Sequence, residues 1–123
     1  MSTAGSLSPQ RGASTNPQAE RRAYVRFPCD REITCQTLAG LRGDQEKWLA
    51  NVRDISVGGV GFVIDRRFEK GTALVIELAD QASASSRILL ARVARVNAHG
   101  LGTWFVGCTF TNKLTDDELQ ALL

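Results

Sequence analysis

From Ile33 onward the chain alternates apolar and polar residues with a period of two, in six short runs. A β-strand sends successive side chains to opposite faces, so each such run buries one face and wets the other. "EITCQTLA" sets Ile33, Cys35 and Thr37 against polar neighbours, and "LRGDQ" at 41–45 then supplies a turn. "KWLANVRDIS" puts Trp48, Ala50, Val52 and Asp54 on one face and Leu49, Asn51, Arg53 and Ile55 on the other. "GVGFVID" is short, β-branched and aromatic, and "TALVIELA" follows a turn at Gly71. "SRILLARVARVNA" carries Ile88, Leu90, Arg92, Ala94 and Val96 opposite Leu89, Ala91, Val93 and Arg95. After a turn at Gly100–Gly102, "TWFVGCTF" completes the series. Six strands with turns roughly every ten residues argue a small β-barrel or sandwich.

Both ends depart from this rhythm. In "LTDDELQALL", Thr115 and Glu118 have the spacing of a helix capping box, with Asp116 and Asp117 facing the positive end of the helix dipole. Leu119, Leu122 and Leu123 give that short helix one apolar stripe. Residues 1–19 are mostly Ser, Thr, Ala, Gly, Pro and Gln, with Leu7 the only large apolar residue after Met1. Such a segment cannot bury enough surface to offset its ordering entropy, which predicts a disordered leader ahead of one domain at 20–123. The 123 residues suit one core. No apolar run reaches the roughly 18 to 20 residues of a membrane helix, and the N-terminus lacks a signal-peptide core, so the cytoplasm is the expected compartment.

The chemistry-bearing residues are few. Cys29, Cys35 and Cys108 are odd in number, and the close pair is separated by five residues rather than a zinc-knuckle spacing. They read as buried free thiols, with no metal site. His99 is the only histidine, in the turn-like "NAHGLG", and no nucleophile signature surrounds any Ser or Cys. The expectation is a protein that is not an enzyme.

Charge is concentrated rather than spread. Fifteen Lys plus Arg against thirteen Asp plus Glu leave a net charge of only +2, yet residues 21–31 hold four arginines and one aspartate. In "ERRAYVRF", Arg21, Arg22 and Arg26 stand where the leader meets the first folded segment, while the lysines lie elsewhere, at 47, 70 and 113. An arginine fork suits phosphate and equally the O6/N7 edge of guanine, although a charge run at a junction also serves solubility alone. The second feature is "DISVGG", residues 54–59. Asp54 and Ser56 can bond local backbone, and Gly58 and Gly59 permit positive φ and close backbone approach, which describes an ordinary strand-to-strand turn. Turned outward, the same residues offer a carboxylate to the N1–H and N2–H₂ donors of guanine and a hydroxyl to sugar or phosphate. The two segments are complementary for a guanine nucleotide.

In this order, "RAYVR" fitting R-x-x-x-R and "DISVGG" fitting D/N-x-S-x-x-G resemble the two motifs of the PilZ domain family. The "VRF" entry, the late "VGCTF" strand and the acidic-start helix extend the resemblance over residues 20–123. It implies a six-stranded antiparallel β-barrel with a short C-terminal α-helix. It also implies a bacterial receptor, not an enzyme, for the second messenger cyclic di-GMP. Position by position, Arg22 and Arg26 match the first motif; Asp54, Ser56 and Gly59 match the second, with Gly58 in the same turn. Arg21 precedes the first motif, and an arginine there is similar to members that take an intercalated pair of ligand molecules. The resemblance further implies no cofactor beyond the ligand, no nucleic acid, no membrane insertion, and signalling to a separate effector protein. On this reading the ligand folds the arginine segment over the barrel and changes the surface at residues 18–28. The alternatives are a PilZ-like interaction module without ligand, or a small basic nucleic-acid-binding barrel stacking bases on Tyr24 and Phe27. The low net charge and the lack of a basic stripe weigh against the last.

Overall fold

Each of the six alternating runs forms a strand. The computed structural model describes residues 24–38, 47–79 and 85–123. The strands are β1 (Phe27–Thr37), β2 (Trp48–Ile55), β3 (Gly59–Ile64), β4 (Ala73–Ala79), β5 (Ser86–Gly100) and β6 (Thr103–Phe110), followed by helix α1 (Asp116–Leu122). They pair antiparallel throughout and close into a barrel in the order β1-β2-β3-β6-β5-β4. Of the barrel and the sandwich that the alternation allows, the chain forms the barrel, as the resemblance implies. The turn expected at 41–45, the leader at 1–19, and Arg21 and Arg22 lie outside the described residues.

The alternating faces fill the interior. Ile33 and Cys35 of β1, Val52 and Ile55 of β2, Phe62 of β3, Leu74, Ile76 and Leu78 of β4 and Val106 of β6 are all buried in one core. Gly71 (φ +89°) and Gly102 (φ +72°) take the left-handed conformation at the turns before β4 and β6, where a side chain would be strained. Strand β1 begins at Phe27, six residues before the alternation becomes legible at Ile33. Its first half pairs only with β2, while pairing to β4 begins at Thr34, so Pro28 sits where a missing N–H is tolerated.

Three of the four bulges decide what faces outward near the motifs. An extra residue lies in β1 between Pro28 and Arg31. On β2, Val52 opposes Phe62 but Asp54 opposes Gly61, leaving Arg53 extra. On β5, Val93 opposes Cys108 but Arg95 opposes Gly107, leaving Ala94 extra. Each extra residue switches the face of everything beyond it. Thus Ile55, not Asp54, joins Val52 inside, and Val96, not Arg95, packs against the core with Val93.

Helix α1 forms as its spacing requires. Glu118 N donates to Thr115 Oγ1 (3.1 Å) and Thr115 N donates to Glu118 Oε1 (2.8 Å), the reciprocal bonds of a capping box. Leu119 and Leu122 are buried in the barrel core, whereas Leu123 remains exposed. Arg31 ties the helix down, donating from Nη1 to the Leu122 carbonyl and from Nη2 to the Ala79 carbonyl. Arg87 adds an ion pair to Glu118 at 3.2 Å. Among the described residues, no helix is long and apolar enough to cross a membrane.

Candidate ligand-binding site

The "DISVGG" turn is held by its own serine. Ser56 is buried, and its Oγ accepts from the amides of Gly58 (3.1 Å) and Gly59 (3.2 Å) while its own N–H donates to the Gly59 carbonyl (2.9 Å). A hydroxyl has two lone pairs and one proton. Accepting two amides uses the lone pairs, so this hydroxyl can serve a ligand only as a donor.

The glycines allow close approach, not positive φ; the left-handed glycines of the described residues are Gly71 and Gly102. A Cβ on Gly59 would collide with the backbone carbonyl of Cys108 on the neighbouring strand β6. A Cβ on Gly58 would stand 2.7 Å from the ring of Tyr24. Gly59 thus lets two strands meet, and Gly58 lets an aromatic ring lie on the turn.

The bulge at Arg53 turns Asp54 outward, where it meets the first motif. Arg26 Nη1 lies 2.5 Å from Asp54 Oδ1, with the two side chains 34% and 29% exposed. The R-x-x-x-R and D-x-S-x-x-G segments are therefore joined directly, across 28 residues of sequence. At this exposure the pair contributes little to stability, on the order of 0–1 kcal/mol, and a ligand offering better partners can exchange it.

Beside this pair lies a cavity of about 400 Å³ lined by Tyr24, Arg26, Ser56, Gly58, Thr109 and Lys113, among others. Lys113 Nζ stands 4.8 Å above the Tyr24 ring, within cation–π range. Lysine at 113 is thus not remote from Arg26: the chain at the end of β6 and beyond carries it back, with Phe110 N donating to Gly58 O (2.9 Å) and Leu114 N to Val57 O (2.8 Å). No local sequence signal marks Lys113, because its place depends on which turn the C-terminal segment crosses. The fourth arginine of the cluster, Arg31, belongs to the fold through its clasp on α1, not to this cavity.

The thiols are chemically quiet. Burial pushes Cys108 up from 9.0 to about 12, with a smaller push from Cys35. Burial likewise raises Cys35 to about 12 against the opposing charge of Arg66, and raises Cys29. All three are free and buried. Among the described residues, no cluster of three or more His, Cys, Asp or Glu is arranged to hold a metal ion. The arrangement offers two cations, an outward carboxylate and a glycine turn overlain by one aromatic ring, which suits an anion that also carries a hydrogen-bond donor edge.

Comparison with known proteins gives the family and the fold. The PilZ domain model matches residues 20–123. Among solved structures, the Bacillus subtilis inhibitor of motility (MotI/DgrA) aligns at 20% identity and TM-score 0.58, over 83% of this chain and 48% of its own. The PilZ domain of YcgR from Escherichia coli, solved with c-di-GMP, aligns at 20% identity and TM-score 0.57, over 82% of this chain and 86% of its own. MrkH of K. pneumonia aligns at 18% identity and TM-score 0.52, over 79% of this chain and 44% of its own. The chain thus spans about half the length of MotI and of MrkH. At these identities the structures share its fold. A search of curated proteins finds no match.

Proposed function

The chain belongs to the PilZ domain family, and on that premise we propose that it is a cyclic di-GMP receptor that signals to a separate effector protein. The observation that carries the reading is the Arg26–Asp54 pair beside the cavity, which brings the two motifs together on one outer face. In the proposed exchange, Asp54 gives up Arg26 and accepts the N1–H and N2–H₂ groups of a guanine. Arg26, with Arg22, turns its fork to the phosphates and the base acceptor edge, where charge-assisted bidentate bonds are about twice as strong as neutral ones. Ser56 holds the turn and donates its hydroxyl proton to a sugar or phosphate oxygen. Gly58 and Gly59 keep that turn low, and Lys113 adds a point charge at the rim. Arg21 decides whether one ligand molecule or an intercalated pair is bound.

The protein's output is the change in its N-terminal surface when the arginine segment closes over the ligand. No step of this mechanism makes or breaks a covalent bond. Its setting is the bacterial cytoplasm, where a nucleotide second messenger is made and degraded.

Calorimetric titration of cyclic di-GMP into the intact chain tests the reading, with Arg22→Ala and Asp54→Ala alongside and GTP as control. Saturable binding that both substitutions abolish and GTP does not reproduce is expected. No binding by the intact chain, or equal binding of GTP, overturns it.

A further inference from the structure

The bulges at Arg53 of β2 and Ala94 of β5 have a joint effect on the outer face. Asp54 pairs with Gly61, Gly61 with Gly107, and Gly107 with Arg95, so the four residues form one row across β2, β3, β6 and β5. Without the extra residues Arg53 and Ala94, Asp54 would share the inner face of Val52, and Arg95 that of Val93. Bulges next to binding sites commonly re-aim a side chain, and here both aim a charged group at the same row.

The two middle residues of the row, Gly61 and Gly107, have no side chains of their own, and their neighbours' side chains lie over them. A Cβ on Gly61 would stand 2.6 Å from Phe105 Cζ and 3.2 Å from Asp54 Oδ1. A Cβ on Gly107 would stand 3.3 Å from both Cγ and Nε of Arg95. Phe105 therefore lies down over Gly61 beside the Asp54 carboxylate, and the Arg95 stem lies flat over Gly107. The Arg95 guanidinium carbon is 5.8 Å from the Phe105 ring centroid, within cation–π range.

That fork is held but not spent. Arg95 Nε is buried and has no hydrogen-bond partner among the described residues. By contrast, Arg26 is engaged by Asp54, and Arg92 donates to the Gly71 carbonyl at 2.8 Å. A guanidinium and a carboxylate held in one row, with the Phe105 ring beside both, suit a flat ligand with donors on one edge and acceptors on the next. Three inter-strand steps separate Asp54 from Arg95, about 14 Å between backbones, a span that one base lying against Phe105 can bridge with a side chain reaching in from each end.

Building on the cyclic di-GMP reading, we propose that Arg95 binds the O6/N7 edge of the guanine whose donor edge rests on Asp54, with Phe105 as the wall beside the base. Arg22 and Arg26 are then left to the phosphates. Arg95 is the residue that distinguishes guanine by its acceptor edge, and neither sequence motif contains it.

The test titrates cyclic di-GMP and its 7-deazaguanine analogue, which lacks N7, into the intact chain and into Arg95→Gln and Arg95→Lys. Arg95→Gln should weaken cyclic di-GMP binding roughly tenfold to a hundredfold, as expected for a bidentate base contact. The wild type should bind the 7-deaza analogue more weakly than cyclic di-GMP, and Arg95→Gln should abolish that preference. Arg95→Lys should behave like Arg95→Gln, because a point charge does not reproduce the fork. Unchanged binding by Arg95→Gln, or full recovery by Arg95→Lys, overturns this assignment and leaves the receptor reading intact. No binding by the wild type overturns both. Should either variant fail to show the wild-type melting transition, the wild-type comparison decides alone: equal affinity for the two ligands overturns the assignment.

Discussion

Replacing Gly59 by alanine separates a glycine needed by the fold from one needed by the site. The new Cβ would collide with the Cys108 carbonyl oxygen and stand 3.3 Å from its carbonyl carbon, and neither can rotate away because both are backbone of β6. The β3–β6 pairing must open where Gly59 faces Thr109, and the neighbouring Phe110 N–H to Gly58 carbonyl bond (2.9 Å) is strained with it. Overpacking costs about 1–3 kcal/mol and a lost hydrogen bond about 1 kcal/mol, so Gly59→Ala should destabilise by roughly 2–4 kcal/mol. For a domain of this size that is a fall in Tm of at least about 8 °C. Gly58→Ala meets only the Tyr24 ring, a side chain that can swing aside. It should cost under about 1 kcal/mol of stability while displacing Tyr24 from Lys113 and weakening ligand binding. Urea and thermal unfolding of both variants, read by circular dichroism, measure the difference. Equal stability of Gly59→Ala and wild type, or a larger loss for Gly58→Ala, refutes the reasoning.

Other outcomes follow from the clasp, the cap and the thiols. Arg31→Ala removes the donors that tie the Leu122 and Ala79 carbonyls to β1 and should cost about 1–3 kcal/mol in urea unfolding, without altering ligand affinity. Thr115→Ala removes the acceptor of the Glu118 amide and should cost about 1 kcal/mol by the same assay. Because burial raises Cys35 and Cys108 from 9.0 to about 12, the unfolded chain loses these protons before the folded chain does. Their contribution is therefore complete below pH 9 and declines as pH rises from about 9 to about 12. Urea titrations across that range should show the decline, and a Cys35→Ala, Cys108→Ala double variant should show less of it. At pH 8 a thiol reagent should label the native chain slowly and the unfolded chain at once; equally rapid labelling of both would contradict the burial account.

What could be read from the sequence was local. The alternation of Ile33 with Cys35, and of Leu74, Ile76 and Leu78, marks strands because a half-buried strand must alternate. Thr115 and Glu118 mark a helix start because their reciprocal bonds need that spacing. The bulges escaped for the opposite reason. Arg53 and Ala94 are ordinary strand residues, and only pairing with β3 and β6 makes them extra. Strict alternation accordingly puts Asp54 and Arg95 on the inner face and hides the row they share. The meeting of Arg26 with Asp54 was legible through the two motifs. Lys113 and Tyr24 were not legible as neighbours, since only the path of the chain after β6 brings them together. Charge counting did no better: Arg31 reads as one more member of the basic cluster, yet its side chain closes the barrel on α1.

The central claim is that one ligand bridges the N-terminal arginine segment and the Asp54–Gly59 turn. Amide hydrogen exchange with and without saturating cyclic di-GMP, with GTP as the control, tests it most directly. Exchange should slow at both residues 18–28 and residues 54–59 with cyclic di-GMP and at neither with GTP. Exchange that cyclic di-GMP leaves unchanged at either segment would contradict it.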